Sequence, residues 1–297
     1  MSDPLGLGAT RTIGGTVGGQ STVATPLDNL RPIPPPIESG LVVYRDANLG
    51  AETLDRTLNL APSAIAPFTS AGHCDTSHVQ SDWSRAVFIY NAGTDNVYEM
   101  RGKTATLIGT LGGDDPFFVA IGSGAHLWTS TGGANNINRY SYPGLSFEAS
   151  INISATSYGL GADNADNVYF WDYSGGNGRL HKQTLGGSDS IILTEPDVGE
   201  RHGLAFNPFD GNLYDSRDDG AAGSLRRITT SGTVTTLSAS LPIGAAPQPS
   251  FTRDGGVWIG KRASAGHFHA NRWDIPAATL TANNTTDQPG QGFVPVL

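Results

Sequence analysis

The chain repeats itself. Six short apolar segments each close on an aromatic residue, Tyr44, Phe88, Trp128, Tyr169, Tyr214 and Trp258, at successive intervals of 44, 40, 41, 45 and 44 residues. A near-constant interval of about 43 residues means that one supersecondary unit is reused, because unrelated domains joined end to end need no fixed spacing. The fifth copy is the most explicit. His202-Gly203-Leu204-Ala205-Phe206-Asn207-Pro208 leads to Asp210-Gly211-Asn212-Leu213-Tyr214, then Gly223-Ser224-Leu225-Arg226-Arg227-Ile228, then Thr233-Val234-Thr235-Thr236-Leu237. Each run is short, rich in β-branched or aromatic residues, and bounded by turn signals such as Asp-Gly or Ser-Gly, so the unit reads as four strands.

The same order recurs on both sides. Tyr158-Gly159-Leu160-Gly161 precedes Asp166-Asn167-Val168-Tyr169, and Phe118-Val119-Ala120-Ile121 precedes His126-Leu127-Trp128. Ala86-Val87-Phe88 and Ser250-Phe251-Thr252 begin comparable series. The first copy, Leu41-Val42-Val43-Tyr44 followed by Leu54-Asp55-Arg56-Thr57-Leu58, is the weakest. Residues 48–61 also admit a helix, with Leu54 and Leu58 on one face and Glu52 four residues before Arg56. Gly50 and the flanking repeat favour strands there. With 39 Gly and 18 Pro in 297 residues, a helical bundle is disfavoured. A single twisted four-stranded sheet cannot bury both faces, whereas sheets stacked radially cover one another. The expected fold is all-β, a six-bladed β-propeller over residues 36–297.

Gly203-Leu204-Ala205-Phe206, Asp210-Gly211-Asn212-Leu213-Tyr214 and Leu225-Arg226-Arg227-Ile228 resemble the blades of NHL-repeat and gluconolactonase-like propellers. The resemblance spans about residues 33–284 and concerns strands and turns, which do not by themselves supply function. It implies a divalent cation at the channel mouth in the enzymes of that group, held by oxygen ligands from several blades. Candidate oxygens here are Glu38, Asp75, Asp82, Asp163, Asn164, Asn207 and Asp254. All sit at strand ends, where Asn and Asp are also favoured for turn geometry alone.

Residues 1–35 differ from the rest of the chain. Their four charges, Asp3, Arg11, Asp28 and Arg31, cancel, and Gly6, Gly8, Gly14, Gly15, Gly18 and Gly19 loosen the first half. Pro32, Pro34, Pro35 and Pro36 then favour an extended approach to the first strand. Leu5, Leu7, Ile13, Val17 and Val23, spaced among Gly and Thr, suit an arm that gains order by lying on a partner. The alternatives are a disordered leader, or an outer strand from residues 20–27 that helps to close the ring. Phe293-Val294-Pro295-Val296-Leu297 is a second candidate for closure.

A net charge of −9 disfavours nucleic acid as a partner. No run of 18 apolar residues exists, so membrane insertion by a helix is not expected. Met1-Ser2-Asp3-Pro4 carries neither the basic nor the apolar part of a signal peptide, so synthesis in a cytoplasm is expected. Cys74 is the single cysteine, which rules out an internal disulfide and a site built from several thiolates.

Three histidine features stand out. His267 and His269, at i and i+2, share a face if their segment is a strand, and are weak candidates for zinc or copper without a specified third ligand. His73, Cys74 and His78 form a small cluster, and His202 precedes an innermost strand. Structural or surface duty is the competing reading of each. Trp83, Trp171, Tyr173 and Trp273 are candidates for stacking on sugars or for filling space between blades. No Gly-x-Ser-x-Gly elbow and no phosphate loop is present, so neither a catalytic residue nor a cofactor is assigned.

The combination of low charge, no disulfide, no catalytic motif and an extended arm resembles the organisation of bacteriophage virion components. That resemblance implies a tail- or fibre-associated structural protein, assembled in the host cytoplasm. It would dock to other virion proteins through its arm and present loops to a host glycan or receptor. The alternatives are a metal-dependent hydrolase or lactonase at the channel, a glycan-binding module, and a cytoplasmic location.

Overall fold

The computed structural model describes a set of strands within residues 40–296 and most of the turns between residues 95 and 237. Side chains are described mainly over residues 95–237 and at positions 249, 251 and 257. The chain divides into two units, Met1–Ile37 and Glu38–Leu297, and the described residues all belong to the second. The expected arm, with Leu5, Leu7, Ile13, Val17 and Val23, therefore lies outside the described residues.

The strands form six antiparallel sheets among the described residues. In chain order, β1 (Gly40–Tyr44), β2 (Ala51–Leu54) and β3 (Leu60–Ala61) belong to the first, so residues 48–61 contain strands rather than a helix. The second is β4 (Gln80–Asp82), β5 (Arg85–Tyr90), β6 (Asn96–Arg101) and β7 (Thr104–Thr110). The third is β8 (Pro116–Ile121), β9 (His126–Thr131), β10 (Asn136–Ser141) and β11 (Phe147–Asn152). The fourth is β12 (Leu160–Ala162), β13 (Val168–Ser174), β14 (Asn177–Gln183) and β15 (Asp189–Pro196). The fifth is β16 (Arg201–Asn207), β17 (Asn212–Asp218), β18 (Gly223–Ile228) and β19 (Val234–Leu241). The sixth is β20 (Ser250–Phe251), β21 (Gly256–Ser264), β22 (His267–Asp274) and β23 (Thr279–Asn283), with β24 (Gln288–Pro289) paired to β22.

The last strand, β25 (Phe293–Val296), returns to the first sheet and pairs with β1. It takes the place that β4, β8, β12, β16 and β20 hold in the other sheets, giving the order β25-β1-β2-β3. These first-position strands neighbour one another in sequence around the ring, and β25 lies between β20 and β4. Closure thus comes from the C-terminal strand, one of the two segments the sequence offered for it. The arrangement is a β-propeller.

Strand alternation explains the core. β13 reads Val-Tyr-Phe-Trp, and its successive side chains point to opposite faces. Val168 and Phe170 join Phe118, Trp128 and Ile137 of the third sheet, whereas Tyr169 and Trp171 join Leu204, Phe206, Leu213 and Ile228 of the fifth. Sheets with both faces covered need apolar residues at consecutive positions, which is why the repeat is visible as short solid runs rather than alternation. The repeated aromatics lie opposite small residues on the first strand: Trp128 faces Ala120, Tyr169 faces Gly161, Tyr214 faces Ala205 and Trp258 faces Ser250. Gly161 shows the reason, since a Cβ there would come within 3.0 Å of the Phe206 backbone nitrogen.

The turn joining the third and fourth strands of each of three sheets sits on the sheet before it. Leu145 lies on Gly109 of β7, where an added Cβ would approach its Cδ1 to 2.9 Å. Arg139 of β10 donates from Nη1 to the Leu185 carbonyl at 3.0 Å. Gly232 lies against β15, where an added Cβ would fall 1.9 Å from the Ile192 carbonyl oxygen.

Candidate functional site

Polar chemistry in the described residues gathers at the ends of the first and second strands and between the third, fourth and fifth sheets. The β12–β13 turn is organised by Asp163. Its Oδ1 accepts from the Ala165 and Asn167 backbone amides at 2.8 and 3.0 Å, and its Oδ2 from Asn167 Nδ2 and the Tyr169 hydroxyl at 2.8 and 2.9 Å. Both carboxylate oxygens are thereby engaged, and the residue that suggested a cation ligand performs turn duty. The β16–β17 turn uses the same device. Asp210 accepts from Asn212 N at 3.0 Å and from the Tyr214 hydroxyl at 2.6 Å, while Asn207 Oδ1 accepts from Phe209 N at 3.0 Å.

These bonds hold both phenols in their neutral form. Burial, with the Asp163 charge and hydrogen bond added, pushes Tyr169 well above the ordinary tyrosine range. Burial and the Asp210 hydrogen bond do the same for Tyr214. The folded state therefore resists an ionisation that the unfolded chain undergoes near pH 10. Stability should be intact below that pH and fall as the pH rises beyond it. Urea unfolding at pH 8 and pH 10.5 should show this loss, and Tyr169→Phe with Tyr214→Phe should make it shallower. An equal loss in the double variant would refute the assignment.

A second group joins the third and fourth sheets. His126 Nδ1 lies 3.1 Å from Asp166 Oδ2, and its Nε2 lies 3.5 Å from Glu148 Oε2. Arg139 Nε is 2.9 Å from the same Glu148 oxygen, and its guanidinium covers Trp128 at 5.5 Å. Further along, His181 stacks on Phe170 with centroids 5.0 Å apart, and its Nδ1 lies 3.0 Å from Asp189 Oδ2.

The most buried charge among the described residues belongs to a group between the fourth and fifth sheets. Asp215, on β17, is fully buried and forms a hydrogen-bonded ion pair with Arg226 of β18. Arg226 Nη1 continues to Glu195 of β15 at 2.7 Å, and Arg217 Nη1 reaches Glu195 at 3.3 Å. Burial opposes the charge on Arg226, but Asp215 and Glu195 outweigh it and raise its pKa above the ordinary arginine range. Asp215 and Arg226 are register partners. Opposite charges at facing positions are the sequence signal for this pair.

Other expected positions are distributed through the fold. Asn164 is exposed in the Asp163 turn. Trp171 is fully buried, so it fills the space between blades and is closed to sugar, while Tyr173 stacks beside it at 6.3 Å. His267 and His269 fall on β22, with Ser264 and Lys261 as β21 register partners. His202 lies on β16 opposite Arg217, and Asp82 lies on β4 opposite Arg85. Trp273 lies on β22. Glu38, His73, Cys74, Asp75, His78, Trp83 and Asp254 are outside the described residues.

Repeated sheets, ring closure by β25 and cores between neighbouring sheets define a β-propeller repeat protein. Solved structures share this fold. The chain is similar to a chain of the nidogen/laminin complex at 12% identity and a TM-score of 0.63, covering 87% of this chain and 98% of that one. It is similar to TolB from Acinetobacter baumannii at 11% identity and a TM-score of 0.65, covering 87% of this chain and 66% of that one. A catalytically inactive virginiamycin B lyase from Staphylococcus aureus, solved with quinupristin, aligns at 13% identity and a TM-score of 0.51 over 85% of each chain. No protein-family model and no curated protein matches the sequence.

Proposed function

We propose that this propeller is a recognition module that engages another protein. The observation carrying this reading is the commitment of two buried carboxylates, Asp163 and Asp215, to the scaffold. Asp163 is saturated by turn donors, and Asp215 is bound to Arg226. Groups committed to rigidity hold the strands fixed and leave the loops to make contacts. The nidogen/laminin structure, a protein complex containing a chain of similar fold, supports the same direction.

In its finer form the proposal is a phage virion component, tail- or fibre-associated, with residues 1–35 as a docking arm and a host glycan or receptor as the outward partner. Its support is the near-neutral, Gly- and Pro-rich composition of that segment. The full chain and a chain lacking residues 1–30 would be co-expressed with the structural proteins encoded beside the gene. The full chain should co-purify in a defined complex, and the shortened chain should remain a folded monomer outside it. Normal incorporation of the shortened chain would remove the arm from the proposal. A lactonase or hydrolase at the channel is the competing reading, favoured by the fold shared with the lyase. Hydrolysis of a lactone panel that depends on added Ca²⁺ or Zn²⁺ would replace the recognition reading.

A further inference from the structure

We infer that the β1 edge covered by β25 is a strand-accepting site that can take the same C-terminal strand from a second copy of this chain. Five sheets draw their first strand from the segment immediately before their second, whereas the first sheet borrows it from residues 293–296. Without β25, β1 would present an open edge of unpaired backbone groups, the surface to which an extended segment adds. The resident strand is held to its sheet by four register pairs, Gly40↔Val296, Leu41↔Pro295, Val42↔Val294 and Val43↔Phe293. Pro295, the register partner of Leu41, has no N–H to offer a neighbouring strand. The three residues between β24 and β25 are Gly290, Gln291 and Gly292 in the sequence. Exchange of one short terminal element between identical chains then conserves every pairing and adds a dimer.

The occupant is specified by register. Val42 and Val294 are partners, so cysteines at these two places meet only when a β25 lies on a β1. Two full-length variants, Val42→Cys and Val294→Cys, each also carrying Cys74→Ser, would be mixed at high concentration, warmed briefly and oxidised. The expected product is a disulfide-linked heterodimer, at least about tenfold more abundant than from Val42→Cys mixed with a Thr233→Cys control. The double variant Val42→Cys/Val294→Cys should close on itself at low concentration. A heterodimer yield equal to the control, with the double variant closing normally, would overturn the exchange and leave the fold intact. Failure of the double variant to close would overturn the register and the inference with it. The unmodified chain supplies an independent reading through a labelled peptide spanning residues 288–297. Saturable binding above that of a scrambled peptide supports the strand-accepting site, and equal binding of the two overturns it.

Discussion

Replacing Gly232 by valine should destabilise the protein by about 3 kcal/mol or more, the largest loss expected from any single glycine in the described residues. Two costs combine at this position. Its φ of 92° lies in the left-handed region that side chains with a Cβ seldom occupy. The new Cβ would also sit 1.9 Å from the Ile192 carbonyl oxygen, which belongs to a sheet backbone and cannot rotate aside. Gly211 is the matched control, with a φ of 74° and nothing within 4 Å of an added Cβ. Gly211→Val should cost about 1–2 kcal/mol, from backbone strain alone. Urea unfolding of both variants measures the difference, and comparable losses would show that the turn does not bear on the preceding sheet.

Removing the Arg226 charge should cost about 3–5 kcal/mol, because Arg226→Met leaves Asp215 buried without its counter-ion. The pair itself is not expected to contribute that much. Two charges withdrawn from water recover their desolvation cost only in part, so Asp215→Leu combined with Arg226→Met should regain most of the loss. Thermal unfolding of the two single variants and the double variant gives the coupling directly. A cost below about 1 kcal/mol for Arg226→Met would mean that water reaches Asp215 and that this part of the interface is not closed.

The architecture was legible because both faces of the third, fourth and fifth sheets are covered. Trp128, Tyr169 and Tyr214 each occupy the second strand and are buried, so the spacing between them measured the repeat itself. The second sheet departs by one residue. Val97 packs toward the third sheet and pairs with Ile89, as Ile137 packs toward the fourth and pairs with Ser130. Counting back two residues from each partner, the register equivalent of Trp128 is Val87, and Phe88 is its neighbour. The shorter interval of 40 residues before Trp128 reflects that offset.

Elements without an apolar signature were hidden. β4 is Gln-Ser-Asp, which gives no strand signal, and its place in the second sheet follows only from its pairing with β5. The acidic residues divided in the same way. Asp163 could be read as a turn residue from its position, but its bond to Tyr169 required the fold to bring the hydroxyl back over the turn. Asp215 and Arg226 are partners within the fifth sheet, but Glu195 lies on the fourth, so its association with Arg226 appears only once two sheets face each other.

The seating of three successive turns on the sheets before them makes the two ends of these strands unequal as places to cut or lengthen the chain. An inserted tag, or new termini made by circular permutation, should be accepted at Gly175-Gly176, where an added Cβ would meet nothing within 4 Å. The same operation between residues 184 and 188 would detach the Leu185 carbonyl from Arg139 and loosen two sheets at once.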